Sequence, residues 1–353
     1  MLAFLGPARG QEQVLCGSFT LSPPPEGTPI DSLVFDRFGN AHHIANLRIT
    51  AVDRELMAES NDCNLGYFNL MIDRAMPAIH RRTVCQVFCD LAAIILPQSD
   101  MTCKQSFPRE NVNIEIRWTL PQGGAGVGGE ATPFYSGPTN VNCREVLLDR
   151  PFIKINGGKI YSLGDQFDGR IVLNPNVVVN NIPRPWHTDW TTPNGPNEVD
   201  LYSVVLHEAL HILGFASRIN TGDEHSLYDM LVRARTGSLT NPVYTPVLVT
   251  TNSGGSCAAD AINCWQLNGF NDLGALTTAV NNTCGGSQPH ITVGGVPVAN
   301  NAINPGASLD ANLSHLNNRP VCGIIQPYVM TPGMGTGPGA ERREITEAER
   351  GIL

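Results

Sequence analysis

The sequence is short of charge, and the charge it has is not clustered. Charged residues make up 16% of the 353, and 23 lysines and arginines leave a net charge of -9. A nucleic-acid partner calls for a basic face that neutralises phosphates, and basic residues scattered without runs do not supply one. Long apolar stretches are missing too. Nothing approaches the roughly 18 consecutive apolar residues of a membrane-spanning helix, so no transmembrane segment is expected. No Cys-x-x-Cys pair occurs, which argues against a cysteine-based zinc site. Met1 to Ala8, MLAFLGPA, lacks both the basic segment and the length of a signal peptide. It reads as the remnant of one, with Gln11, Glu12 and Gln13 opening the mature chain.

An apolar content of 42% over this length supports a large core, either as one domain or as two lobes sharing a cleft. The ten cysteines are an even number set among Gly, Pro, Asn and Thr. They point to disulfides and to an oxidising, extracellular compartment. Cys85 and Cys89 fall on one expected helix, and each is expected to bond to a distant loop rather than to the other.

The chemistry is concentrated in Leu201 to Ser217, LYSVVLHEALHILGFAS. It contains His207-Glu208-Ala209-Leu210-His211, the pattern H-E-x-x-H. On a helix, positions i and i+4 share a face, so His207 and His211 can present imidazole nitrogens to one metal ion. Glu208 projects beside that ion, placed to take a proton from the water that the metal activates. The pentapeptide also occurs by chance on surface helices that hold no metal. Here Leu201, Val204, Val205, Leu206, Leu210, Ile212 and Leu213 surround it with apolar side chains. Two histidines and a glutamate are costly to bury in such a setting without a partner, which favours zinc.

Along the chain, residues 1–30 form an irregular lead rich in Pro and Gly. Ser32 to Ile49 reads as two short strands around the turn residues Asp36 to Asn40. Gly66 to Ile72 reads as a strand and Ala78 to Leu96 as a core helix, with Val84, Val87, Phe88, Leu91 and Ile95 at helical spacing. Strands are expected at Asn113 to Leu120, Phe152 to Ile160 and Arg170 to Leu173. The glycine run Gly123 to Gly129 invites a dinucleotide-binding reading, but Pro133 and a polar stretch follow where a helix would have to start. A mobile loop is expected there instead. Pro183 to Asn197 is a loop leading into the H-E-x-x-H helix. Residues 223–235 read as another helix, and 236–306 as loops with short strands such as VYTPVLVT. Cys257, Cys264, Cys284 and Cys322 are expected to staple that region. Thr346 would cap a last helix from Ile345 to Leu353, with Glu349 as its capping-box partner and further protein expected beyond it. The pattern of strands, a long helix, strands and a second long helix is an α+β layer.

A hydrolytic zinc takes a third protein ligand and leaves one position open for water. In the compact pattern H-E-x-x-H-x-x-G-x-x-H the third histidine follows the glycine at once. Here Gly214 is in place, but Ser217 stands at the ligand position. The candidates are therefore Glu224, His225, Asp229, His290 and His315. Asp229, in SLYDML, also reads as a structural carboxylate that bonds loop backbone.

Taken with Ser314-His315-Leu316 and Tyr328-Val329-Met330-Thr331-Pro332, the segment HEALHILGF resembles the leishmanolysin-like branch of the metzincin zinc metallopeptidases, over about residues 201–332. In that branch the third histidine comes late, in a Ser-His dipeptide, shortly before a methionine turn that lies beneath the metal. The resemblance implies a zincin-like fold: an upper lobe of twisted mixed sheet with two long helices, and an irregular, disulfide-rich lower lobe. It implies His207, His211 and His315 as zinc ligands, Glu208 as general base and Met330 as the turn methionine. The corresponding division is an N-terminal lead over 1–30, a catalytic subdomain over 31–215, and a C-terminal subdomain over 216–353 with the third ligand. Two departures stand out. The segment between His211 and His315 is long, implying a cysteine-bearing insertion near 252–300. Pro332 also stands where some metzincins carry a tyrosine that supports the oxyanion, and Tyr328 precedes the methionine instead.

The expected function is that of a secreted, monomeric endopeptidase with one catalytic zinc; nothing in the sequence supports a structural calcium. Its substrates would be proteins or peptides, held extended against an edge strand for which Arg170 to Leu173 is the expected segment. Two other classes compete. One is a disulfide-rich binding or adhesion protein with a structural or vestigial zinc, which would have no use for Glu208. The other is a zinc hydrolase acting on something other than a peptide.

Overall fold

The computed structural model describes residues 33–35, 41–43, 57–59, 68–94, 111–140, 145–155, 167–219, 225–237, 242–250, 265–267, 290–293, 307–308, 330, 336–337 and 340–345. In chain order the first elements are β1 (Leu33–Phe35), β2 (Ala41–His43), β3 (Met57–Glu59), β4 (Phe68–Asp73) and helix α1 (Ala78–Ile94). Then come β5 (Val112–Trp118), β6 (Gly129–Pro133), β7 (Tyr135–Asn140), β8 (Glu145–Asp149), α2 (Arg150–Ile155), β9 (Gly169–Leu173) and α3 (Leu201–Ile212).

The centre is a five-stranded sheet in the order β3-β4-β5-β9-β6. β4, β5 and β9 run parallel, and the outer strands β3 and β6 run antiparallel to their neighbours. A parallel strand covered on both faces needs apolar or satisfied side chains throughout. β5 meets that demand: Val112, Ile114 and Ile116 are buried, and between them Asn113 pairs with Asn69 at 3.0 Å while Glu115 binds Arg117 and Arg170. α1 packs on β4, α3 packs on β6 and β9, and the two helices pack against each other. Val84, Val87, Phe88 and Leu91 of α1 join Val205, Leu206, Leu210 and Ile212 of α3 in one core cluster. Residues 78–94 thus form the expected core helix. The hairpin at 33–43 also forms, with Phe35 opposite Ala41.

Three expectations are corrected. Residues 150–155 are helical rather than the start of a strand at Phe152. The alternation in Phe-Ile-Lys-Ile mimics a strand, but helical spacing brings Arg150 and Lys154 together on the buried carboxylate of Asp168, at 3.0 and 2.7 Å. Residues 223–235 do not form one helix: a 3₁₀ turn spans Tyr228–Leu231, and Val232–Gly237 is a strand. That strand pairs with both Pro242–Pro246 and His290–Val293, so sheet pairing overrides the local helical pattern. The third correction concerns the glycine run, which is pinned and not a loose loop. The side-chain amide of Asn174 donates to the carbonyls of Ala125 and Val127, and Asn174 N donates to Gly128 O.

The residues 1–30, the 252–300 insertion apart from short strand pieces, and Thr346 to Leu353 lie outside the described residues, as do all cysteines except Cys85 and Cys89. Among the described residues no helix is long and apolar enough to cross a membrane.

Candidate metal centre

The site is built on α3, which is buried along all of its length. Asp200 caps its start, accepting from Ser203 N at 2.9 Å and so satisfying one of the first-turn amides that a helix leaves open. Arg343 in turn grips the Asp200 carboxylate, Trp190 O and Thr192 O, tying the segment 340–345 to this end. At the other end Gly214, at φ +111°, lets the chain reverse. Gly214 N donates to His211 O at 3.2 Å and Phe215 N to Leu210 O at 3.0 Å, the paired bonds of a Schellman cap.

That cap has a chemical consequence. It turns the Phe215 carbonyl back toward the helix, where it lies 2.6 Å from His211 Nδ1. A carbonyl only accepts, so Nδ1 carries the proton and Nε2 keeps the lone pair that a metal requires. The ring of His207 stands one turn earlier, 4.8 Å from that of His211 between centroids and nearly perpendicular to it at 88°. His207 is 7% exposed, Glu208 6% and His211 1%, so the first two reach the surface while His211 forms the inner wall. Two imidazole donors one turn apart on a rigid, buried helix fit two of the ligand positions of a zinc ion, with the carboxylate beside them left free of the metal.

Glu208 lies against the sheet edge. A Cβ added to Gly129, the first residue of β6, would stand 2.9 Å from Glu208 Cγ and 3.2 Å from its Oε1. Only a glycine leaves room there for the carboxylate. The neighbouring Gly128 is covered a little less closely, by the ring of Trp186 at 3.3 Å and by Val204 at 3.5 Å from a Cβ placed there. The strand that borders the site is therefore β6. Arg170 to Leu173, the expected substrate-pairing segment, lies in β9, between β5 and β6 in the interior of the sheet, where its backbone is already paired on both sides.

Of the candidate third ligands, His315 and Glu224 lie outside the described residues. Asp229 is spent on structure: its carboxylate accepts from Ser217 Oγ at 2.7 Å, from Arg218 N at 3.1 Å and from Ser226 N at 2.8 Å. This is the backbone-bonding role read from the sequence, and it also explains why Ser217 stands where a compact motif would have a ligand. His225 sits 4.0 Å from Asp229, and His290 lies in a strand opposite Arg235. Among the described residues no group of three metal-binding side chains forms. Met330 is fully buried, in the same cluster as Leu206 and Leu210.

Behind α3 lies a second polar feature. Asp149, at the end of β8, is buried, and its Oδ1 has no hydrogen-bond partner among the described residues. Burial pushes its carboxyl up to about 8, the nearby Asp229 adds to the rise, and Arg218 opposes it. Its Oδ2 lies where a Cβ on Gly214 would come within 3.2 Å.

Sequence reasoning did not identify Gly129, Asn174, Asp200 or the Phe215 carbonyl. Gly129 closes the glycine run that the sequence flagged, so its signal was visible and its meaning was not. No family model, curated protein or solved structure matches this chain.

Proposed function

We propose that this protein is a secreted zinc-dependent endopeptidase of leishmanolysin-like, metzincin type, with His207, His211 and His315 as ligands and Glu208 as general base. One observation supports the reading: two histidines stand edge to face one turn apart on a buried helix, the inner one held by Phe215 O in the tautomer that leaves Nε2 free to bind a metal, with Glu208 beside them. A purely structural metal site has no use for that glutamate. Zinc bound there supplies Lewis acidity, polarising the scissile carbonyl and lowering the pKa of water. Glu208 takes the proton of the attacking water and delivers it to the leaving amine. Met330, in the core cluster with α3, serves as the turn methionine. An extended peptide pairs with β6, the outer strand against which Glu208 packs, in place of the interior segment 170–173.

The test is metal content combined with digestion of a peptide library. Near-stoichiometric zinc that falls sharply in His315→Ala, with cleavage of the library, supports the reading. Zinc retained in full by His315→Ala moves the third ligand to Glu224. Stoichiometric zinc without cleavage favours the binding or adhesion protein.

A further inference from the structure

We propose that Asn174 is a positioning residue for peptide binding: its buried carboxamide fixes the start of β6 and with it the strand that receives an extended substrate. The inference rests on the peptidase reading above. Asn174 is wholly buried, directly after β9, and it uses both of its main-chain polar groups and both of its side-chain ones. Nδ2 donates to Ala125 O at 3.1 Å and to Val127 O at 2.9 Å, and its N donates to Gly128 O at 2.9 Å. Oδ1 accepts from Asn176 N at 2.9 Å, and its carbonyl accepts from Trp186 Nε1 at 2.9 Å.

Every one of the first three bonds ends on the segment immediately before Gly129. That glycine is the β6 residue opposite Leu173 in register and the one that abuts Glu208. Trp186 closes the arrangement, since the ring held by Asn174 O is the one that covers Gly128. A glycine-rich run has little stiffness of its own, so an external clamp is required to give it one position. A side chain with two donors on one planar group is suited to hold two carbonyls of the same turn, and aspartate of the same shape is not.

The experiment compares Asn174→Asp with wild type on two substrates, an extended peptide that spans β6 and a short amide that spans little more than the scissile bond. The variant keeps the acceptor for Asn176 N and loses both donors. The expected result is a fall of about tenfold or more in kcat/KM on the extended peptide, carried by KM. On the short amide the loss should be several-fold smaller than on the extended peptide, limited to what Gly129 transmits to Glu208, with zinc content unchanged. If the aspartate variant does not fold, Asn174→Ala is read in the same way. An equal loss on both substrates, or none on the extended one while wild type is active, overturns the inference alone. A wild-type protein that binds no zinc or cleaves neither substrate refutes the peptidase reading, and this inference falls with it.

Discussion

The Nδ1 of His211 donates to the carbonyl oxygen of Phe215 across 2.6 Å. The bond joins a proposed metal ligand to the helix cap that follows it, so the sequence that ends α3 also selects the tautomer of its last histidine. Gly214 makes this possible, because its φ of +111° is one that L side chains rarely adopt. Gly214→Ala should cost about 1–3 kcal/mol of stability through backbone strain. It should also weaken zinc affinity by roughly 10-fold to 100-fold, the usual penalty for losing the partner of a ligating histidine. Chelator competition on the folded variant measures the second effect; affinity equal to wild type would detach the cap from the metal centre.

Gly129 offers a separation of metal binding from turnover. The methyl of Gly129→Ala would overlap Glu208 Cγ and Val204 Cγ1, each 2.9 Å from the Cβ position, and the three atoms nearest to it include none from either histidine. Zinc content should stay at wild-type level while kcat drops by about 10² or more, since general-base catalysis depends on sub-ångström placement. Equal loss of zinc and activity would show that the helix itself had shifted.

Asp149 predicts a pH dependence of stability. Its carboxyl is held at about 8 by burial, far above the ordinary value of 3.8. Between those values the folded state keeps a proton that the unfolded state releases, so this group's contribution falls as pH rises through that window. Asn at this position carries no such proton. Asp149→Asn should therefore be more stable than wild type by about 2 kcal/mol or more at pH 8, with the gap closing toward pH 4. Urea unfolding across that range reads it, and a gap independent of pH would contradict the assignment.

His187, in the short strand Trp186–His187 that pairs with Val199–Asp200 just ahead of α3, titrates in the same sense. Its Nδ1 faces Glu198 Oε2 at 2.8 Å, and its Nε2 faces Asp189 O at 2.7 Å and Thr192 O at 3.1 Å. Burial lowers its pKa, but the bond to Glu198 and those to the two carbonyls outweigh this, and the net shift is upward. With acceptors at both nitrogens the ring is best satisfied as imidazolium. Its stabilising contribution is complete below the unfolded value near 6.5 and is lost as pH rises through the higher folded value. Amide exchange at Thr191 and Gly195 should accelerate over that interval in wild type and lose its pH step in His187→Gln.

The parts of the structure legible in the sequence are those governed by local periodicity. The apolar spacing of Val84, Val87, Phe88 and Leu91 marked a core helix, and the apolar setting of His207 and His211 marked a buried one. What escaped was set by contacts distant in the chain. Arg150 and Lys154 look like alternating strand residues until Asp168 is brought between them. Residues 232–235 look helical until 290–293 pairs beside them. The glycine run looked loose because its rigidity comes from Asn174, well downstream. In the candidate site the motif supplied the helix residues, while Gly129 and the Phe215 carbonyl act through packing and main-chain geometry that no side-chain pattern announces. His315 lies outside the described residues, and its role rests on the resemblance alone.

The central claim is that Glu208 does acid-base work beside a zinc ion held by His207 and His211. The most direct measurement is zinc stoichiometry together with a peptide-library digest, made in parallel on wild type and Glu208→Ala. The expected outcome is one zinc in each protein, cleavage of the library by wild type and none by the variant. Undiminished cleavage by Glu208→Ala, or the absence of zinc from wild type, would contradict the claim.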